Sequence, residues 1–324
     1  MRAIRVHNFG GPENLSYDEV PAPQPGAGEA LVQIKATGVN FIDVYHRTGR
    51  YPGAPPLTLG VEAVGVVEAV GSEVTDVRAG DRVGYCLQQG AYAEYQTVPA
   101  SKLVPIPSGL DDQSATAALV QGMTAHYLVF DSYRIQPGDT VLVHAAAGGA
   151  GGLLTQAAKI RGARVIATVS TEAKAQLARS AGADEVILYS QVDFETEVKR
   201  LTDGKGVACV YDSVGKTTFD KSLNCLRPLG TLVLYGAASG PVPPFDPITL
   251  MNKGSLFLTR PTLGHYVLDR AALLKRANDV FSWIADGKFK THVHRTYPLA
   301  DAAQAHRDLE SRATTGKLLL LPGS

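Results

Sequence analysis

The chain is poor in cysteine, shows no excess of either charge and has no long apolar run, and each deficit narrows what it can be. Its 324 residues hold three cysteines, Cys86, Cys209 and Cys225, far apart and without a CxxC pair. So sparse and odd a set argues against a disulfide framework. Lys plus Arg and Asp plus Glu stand at 31 each. A general electrostatic pull toward nucleic acid or anionic lipid is therefore not expected. No stretch reaches the ~18 apolar residues of a membrane helix. The opening MRAIRVHNFG has no apolar run after its arginines, unlike a secretory leader. These absences predict a soluble protein of a reducing compartment, with the cytoplasm as the expected location.

What remains is an ordinary globular composition, 45% hydrophobic and 19% charged, in a chain long enough for one large or two smaller cores. The first third is rich in Gly, Pro and Val. It reads as short strands between turns, at Ala30–Ala36, Val64–Val70, Gly80–Tyr85 and Tyr92–Val98. Many short strands at this spacing suggest a sandwich or small barrel. Near residue 110 the pattern changes. Asp111 or Asp112 is placed to cap a helix through Ala115–Val120. From Thr140 strands and helices alternate. The strands are Thr140–Ala145, Arg164–Val169, Glu185–Tyr189, Ala208–Ser213, Thr231–Tyr235 and Ser255–Thr259. Helices near Gly151–Ile160, Glu172–Ser180, Phe194–Leu201 and Thr218–Leu226 separate the first five. Repeated β-α-β units imply a parallel sheet covered on both faces, and six strands fit the doubly wound dinucleotide-binding fold. Residues 270–287 and Ala300–Ser311 read as helices. A last strand, Lys317–Leu321, is placed to return to the N-terminal sheet.

The sharpest local signal is VLVHAAAGGAGG at Val141–Gly152. An apolar strand runs into a turn of small residues and then a helix. The fingerprint positions of GxGxxG fall on Ala146, Gly148 and Gly151, with alanine in the first place. Such a loop brings backbone close to a pyrophosphate, and the helix N-terminus offers it free N–H groups. The βαβ setting is the context the motif requires. The second strand ends Ala167-Thr168-Val169-Ser170-Thr171, with no carboxylate at its tip for the ribose hydroxyls of NAD. Lys174 follows one turn later. Hydroxyls and a cation suit a 2′-phosphate, so NADP(H) is the expected cofactor. Glu172 offers the competing possibility of turning back toward a ribose.

The order of these parts resembles the medium-chain dehydrogenase/reductase superfamily. Several stretches are similar to its quinone oxidoreductase branch: GVNFIDVYHRTGRYP (38–52), GVEAVGVVEAVG (60–71), AGDRVGY (79–85), HAAAGGAGG (144–152), VYDSVG (210–215), KGSLFLTRPTL (253–263) and LESRATTGK (309–317). The resemblance covers essentially the whole chain. It implies an α/β architecture: a β-rich GroES-like catalytic domain at 1–122 and 266–324, and a doubly wound Rossmann domain at 123–265. Zinc enzymes of the superfamily have a Cys where Asn40 stands, a His where Val61 stands in Gly60-Val61-Glu62, and a further Cys near Gln121–Gly122. A catalytic zinc needs three protein ligands. Their loss predicts no metal.

The resemblance also implies site residues. Asn40, Asp43 and Tyr45 correspond to an active-site strip beside the nicotinamide, and Asn40 or Tyr51 to a hydrogen-bond donor for a quinone oxygen. Thr124 and Tyr127 would line a helix under the cofactor, and Gly149, Ala150 and Gly151 would meet the pyrophosphate. Ser170, Lys174 and Tyr189 would surround the 2′-phosphate and adenine. Ser213, Tyr235 and Gly236 would lie at strand ends facing the crevice, Phe257, Leu258 and Thr259 would close over the nicotinamide, and Arg312 would reach the cofactor from the C-terminal segment. The implied activity is NADPH-dependent quinone reduction in an interdomain cleft, by a homodimer. Quinones are good acceptors and need no Lewis acid, which agrees with the missing zinc ligands. Two alternatives stay open: reduction of an enone or enoyl C=C bond, and a structural or RNA-binding role of the crystallin kind, which the zero net charge does not favour.

Overall fold

A computed structural model describes residues 1–323. The chain divides into two compact units, one of residues 1–120, 267–285 and 291–323, the other of residues 121–266 and 286–290.

In the first unit the 11-residue strand Glu29–Val39 is the organising element. It pairs antiparallel with Glu62–Val70 and with the C-terminal strand Lys317–Leu321, and its first half with Tyr95–Pro99. The alternation of Ala30–Ala36 predicts a strand wet on one face. Instead most of its side chains are buried, because the strand feeds two cores, Val32 and Ile34 entering one and Val39 the other. Two register shifts against Glu62–Val70 bend it. One core fills the sheet through Val32, Ile34, Val67, Val83, Tyr85 and Leu103. A second lies under the chain ends, through Ile4, Val39, Leu59, Tyr297, Leu318 and Leu320.

Some local expectations move. The strand expected at Tyr92–Val98 is Tyr95–Pro99. Tyr92 lies ahead of it, its backbone taken by Ile4 and Leu59 (2.8 Å each) and its ring fully buried. The active-site strip is a helix, Phe41–Arg47, entered through Asn40 in extended conformation. The helix Asp112–Ala118 is capped by Asp111, whose carboxylate accepts from Ser114 N–H at 2.8 Å.

The second unit is a six-stranded, all-parallel sheet. Its order is Glu185–Leu188, Arg164–Val169, Thr140–His144, Val207–Asp212, Leu226–Leu234, Phe257–Thr259. Numbered along the chain from Thr140–His144 the order is 3-2-1-4-5-6, that of a doubly wound dinucleotide fold. The direction of winding reverses between Thr140–His144 and Val207–Asp212, so the crevice for a ligand opens beyond His144 and Asp212. Leu142, Ile166, Val210 and Leu232 form the core with Phe194, Val198, Phe219 and Leu223 from covering helices. Strands buried on both faces read as apolar runs, which is why this half is legible from residue type alone.

Leu142 is fully buried on the central strand. Leu142→Ala is expected to cost about 3 kcal/mol through lost burial and the cavity left behind. Leu268→Ala, at a side chain 72% exposed, is expected to stay within about 0.5 kcal/mol. Denaturant unfolding of both variants checks the contrast.

Candidate active site

The glycine loop leaves the central strand at His144. Ala145 takes a positive φ of 52° and Gly148 N–H closes the turn on Ala145 O at 2.9 Å. The helix Gly149–Ile160 follows, and its first i→i−4 bond is Gly152 N–H to Gly148 O at 2.8 Å. The N–H groups of Gly149, Ala150 and Gly151 precede that bond and point from a helix N-terminus, the arrangement an anion needs. Gly151 is sterically required: a Cβ there would lie 2.3 Å from Ala145 O, so any side chain would push the loop off the helix.

Two strand tips flank this cradle. Ser170 and Tyr189 end neighbouring strands, tied by Tyr189 N–H to Val169 O (3.1 Å) and Ser190 Oγ to Ser170 O (2.7 Å). Tyr189 is 50% exposed. Lys174 stands on the following helix, capped by Thr171, with its pKa lowered by burial. Glu172 is turned away, its carboxylate accepting from Arg179 at 2.6 Å. The alternative in which Glu172 meets a ribose hydroxyl would have to break this exposed pair, which costs little.

Across the switch point a buried hydrogen-bonded chain holds the tips in register. Asp212 accepts Val214 and Gly215 N–H on Oδ1 (2.7 and 3.0 Å) and the Thr218 and Ser222 hydroxyls on Oδ2 (2.7 and 2.9 Å). With the Ser222 hydrogen spent on Asp212, its oxygen accepts from His144 Nε2–H at 3.0 Å. His144 Nδ1 then accepts from Thr168 Oγ at 2.8 Å. Burial lowers the His144 pKa, so the ring stays neutral. Ser213 and Gly236 lie half-buried beside this chain. The Tyr235 hydroxyl is buried beside Ser213, whose side chain hydrogen-bonds it, and burial raises its pKa to about 12, so it keeps its proton.

Other expected cofactor residues divide. Thr124 is half-buried on the helix Val120–Tyr127. Tyr127 is buried and stacks on Tyr266, centroids 4.2 Å apart. Leu258 packs against the sheet core, whereas Phe257 on the same edge strand is 59% exposed. Arg312 is exposed at a positive φ of 59°, just past the helix Ala302–Glu310.

In the first unit, Asn40, Asp43 and Tyr45 share one short helix. Tyr45 packs at a tilt against Tyr51 (centroids 5.3 Å), and the Arg50 guanidinium lies over its ring (4.8 Å). Asn40 is more committed than its residue type implies. Its Nδ2 donates to Glu62 Oε1 (2.7 Å) and Gly38 O (3.3 Å), and its Oδ1 accepts from Lys317 Nζ (2.7 Å). Both amide hydrogens are spent inside the protein. Asn40 is therefore not the donor for a quinone oxygen, and its oxygen is engaged by Lys317 and, in a capping box, by the Asp43 N–H.

Lys317 and Glu62 went unnoticed in the sequence, although each stands in a quoted motif. Lys317 Nζ donates to Glu62 Oε1 at 2.5 Å, with side chains 1% and 0% exposed, and Val120 N–H donates to Glu62 Oε2 at 2.8 Å. Gly38 makes the room: a Cβ there would lie 2.3 Å from Glu62 Oε1 and 2.6 Å from Lys317 Cε. The signal was a lysine at the head of the otherwise apolar strand KLLLL. Removing one partner of such a pair strands the other charge. Lys317→Met is expected to cost about 3–5 kcal/mol, and Glu62→Gln/Lys317→Met to recover most of it. Urea titrations of the four proteins of this cycle measure it; a double variant as unstable as the single would show that charge pairing is not what the site requires.

Comparison with known proteins bears on these sites. The family model described as "Alcohol dehydrogenase GroES-like domain" matches residues 26–108, and that described as "Zinc-binding dehydrogenase" matches 149–272. A quinone oxidoreductase of Pseudomonas aeruginosa is 45% identical over 324 residues, covering 99% of both chains. A 2-haloacrylate reductase of Burkholderia is 44% identical over 333 residues, again 99% of both. The structure of a mycobacterial protein solved in complex with NADPH superposes with a TM-score of 0.97 at 49% identity, over 99% of this chain and 100% of that one. One of the matching models is described by zinc, but the donors here do not fit the ion. Val61 is apolar and buried, the Asn40 amide is held by Glu62 and Lys317, and no group of three or more His, Cys, Asp or Glu stands together among the described residues. With two domain models in order and full-length relatives of this similarity, the chain belongs to the quinone oxidoreductase family of the medium-chain dehydrogenases/reductases.

Proposed function

We propose that the protein is an NADPH-dependent quinone reductase. The observation that carries the cofactor is the second strand tip, where Ser170, Lys174 and Tyr189 stand together while Glu172 pairs with Arg179. NADPH, when bound, supplies a hydride. The chain's own part is to hold and orient. Gly149, Ala150 and Gly151 offer N–H groups to the pyrophosphate, and Gly151 lets the loop close on the start of the helix. The Tyr235 hydroxyl, buried beside Ser213, stands with its proton at a strand end facing the crevice. The donor to a quinone oxygen is assigned to Tyr51, half-buried against Tyr45 and His46. With no zinc site among these residues, the acceptor must be one that needs no Lewis acid, as quinones are.

A second reading has its own support. The 44% identical relative named 2-haloacrylate reductase favours an activated C=C bond as acceptor. The test follows NADPH oxidation at 340 nm with 1,4-benzoquinone, 9,10-phenanthrenequinone and 2-chloroacrylate in parallel. Quinone turnover is expected to dominate; turnover with 2-chloroacrylate alone would overturn the quinone assignment. Lys174→Ala is expected to raise the KM for NADPH roughly tenfold, the worth of one charge-assisted contact, and to leave that for NADH nearly unchanged. Equal effects on both would remove Lys174 from the 2′-phosphate.

The protein is also read as a cytoplasmic homodimer. Its three cysteines are all free and buried, as in a reducing compartment, and no helix among the described residues is long and apolar enough to cross a membrane. The strand Phe257–Thr259 ends the parallel sheet, with no partner on its outer side among the described residues. Leu229, Ile248, Met251 and Phe257 expose large apolar side chains near it, and Leu229 N–H binds Gly254 O at 2.8 Å. An apolar edge of this kind invites pairing with its symmetry mate. Phe257 fits that surface better than a lid over the nicotinamide. Phe257→Asp is expected to shift the protein from dimer to monomer in sedimentation equilibrium, and a wild type that sediments as a monomer would refute the pairing.

A further inference from the structure

Asp43 is fully buried, yet its two oxygens are treated differently. Oδ2 accepts Asn40 N–H at 2.8 Å and the Tyr92 hydroxyl at 3.1 Å. Oδ1 is buried with no partner, the one carboxylate oxygen in that state among the described residues.

The donors behind Oδ2 form a chain whose direction is fixed by chemistry. Arg47 only donates, and its Nη1 lies 2.9 Å from His306 Nδ1. His306 Nδ1 must therefore accept. Burial and the Arg47 charge lower the His306 pKa to about 3, so the ring is neutral and its single hydrogen sits on Nε2. Nε2 lies 3.3 Å from the Tyr92 oxygen and donates to it. Tyr92, its oxygen occupied, directs its own hydrogen at Asp43 Oδ2. Arg47 in turn is neutralised by both Glu310 oxygens at 2.9 Å. The order of donation is Arg47, His306, Tyr92, Asp43, with no group along it able to reverse. Oδ2 is held as an acceptor, and a proton taken up by this carboxyl goes to Oδ1.

We propose that Asp43 is the proton store of the active site, carrying on Oδ1 the proton that each reduction consumes while the Arg47–His306–Tyr92 chain holds Oδ2 as an acceptor. The proposal rests on the reductase reading of the site. Hydride transfer to a quinone leaves a hydroquinone anion one proton short of neutrality. The Asp43 O–H bond breaks with its electron pair left on the carboxylate, and the proton, passed on through water, forms an O–H bond on that anion. Solvent returns a proton to Asp43 before the next turnover. Asp43 stands on the same helix as Tyr45 but is enclosed, so it acts at one remove from substrate. Its surroundings suit storage. Burial raises the carboxyl's pKa to about 7 and the Glu62 carboxylate adds to the rise, against Asn40 N–H, the Lys317 ammonium and the Tyr92 hydroxyl. Glu62 and Lys317 face it from the strands Glu62–Val70 and Lys317–Leu321, His306 from the helix Ala302–Glu310, Tyr92 from the chain before Tyr95, and Arg47 from its own helix.

The test compares kcat against pH, at saturating NADPH and 1,4-benzoquinone, for wild type, Tyr92→Phe and Asp43→Asn. A stored proton is present below the carboxyl's pKa and lost above it, so wild-type kcat is expected to fall as pH rises through about 7. Tyr92→Phe removes a donor that favours the carboxylate. The fall should move to higher pH, by roughly half to one unit. Asp43→Asn should lack the fall and lower kcat by roughly 100-fold. A bracing role alone would change melting temperature and leave the position of the fall where it is. Carbon-13 NMR of aspartate-labelled, substrate-free protein gives a readout independent of acceptor. One carboxyl is expected to titrate near neutrality, to be missing in Asp43→Asn and to move upward in Tyr92→Phe. Titration of that carboxyl below pH 5, or an unchanged alkaline fall in Asp43→Asn, would overturn the store. If no quinone is reduced, the quinone reading fails by itself, and the same profile is read with 2-chloroacrylate, whose reduction consumes the same proton.

Discussion

The first unit is arranged around one ion pair buried without access to water, Lys317 with Glu62. Neither charge would be tolerated alone, and together they need every remaining valence filled. Asn40 and the Val120 N–H supply the missing partners. That demand explains several neighbouring choices. Gly38 has no side chain because the pair occupies its space, Thr37 bonds the Glu62 carbonyl at 2.7 Å, and the C-terminal strand that pairs with Glu29–Val39 brings the lysine to it. An amide side chain held from both ends is oriented before any ligand arrives, and such preorganisation is what a positioning group contributes.

The second unit meets the same problem with neutral groups. His144, Ser222, Thr168 and Asp212 satisfy one another at the strand ends where winding reverses, each with one permitted direction of donation. Fully satisfied networks of this kind rigidify what they join. Here they join the strand that feeds the glycine loop to the strand that ends in Asp212. The cradle at Gly149–Gly151 needs that rigidity, since its N–H groups bind an anion only if the helix start is held in place.

Much of this was legible in the residues. The parallel sheet, the glycine loop and the cofactor's 2′ end follow from local pattern: apolar runs, small residues at a strand-to-helix turn, and the lack of a carboxylate after Val169. Boundaries drifted where tertiary pairing overrode propensity. Leu226–Leu234 begins five residues before Thr231 because the sheet recruits it, and Phe41–Arg47 is a helix whose length alone would not predict one.

The amino-acid sequence by itself determined the class of fold and the glycine loop, which depend on residue type at short spacing, and resemblance to zinc enzymes marked Asn40 and Val61 as the places where their ligands are replaced. Only the tertiary structure decided what the polar side chains do. Asn40 is no donor to a ligand because Gly38 and Glu62 take both its amide hydrogens, while Lys317, 277 residues away in the chain, bonds its oxygen. Asp43 has one free oxygen because the Asn40 N–H and the Tyr92 hydroxyl both reach Oδ2 and no donor reaches Oδ1. Hydrogen-bond partnership between distant residues leaves no periodicity in a sequence, so the electrostatics of this site emerge only when the strands and helices are assembled.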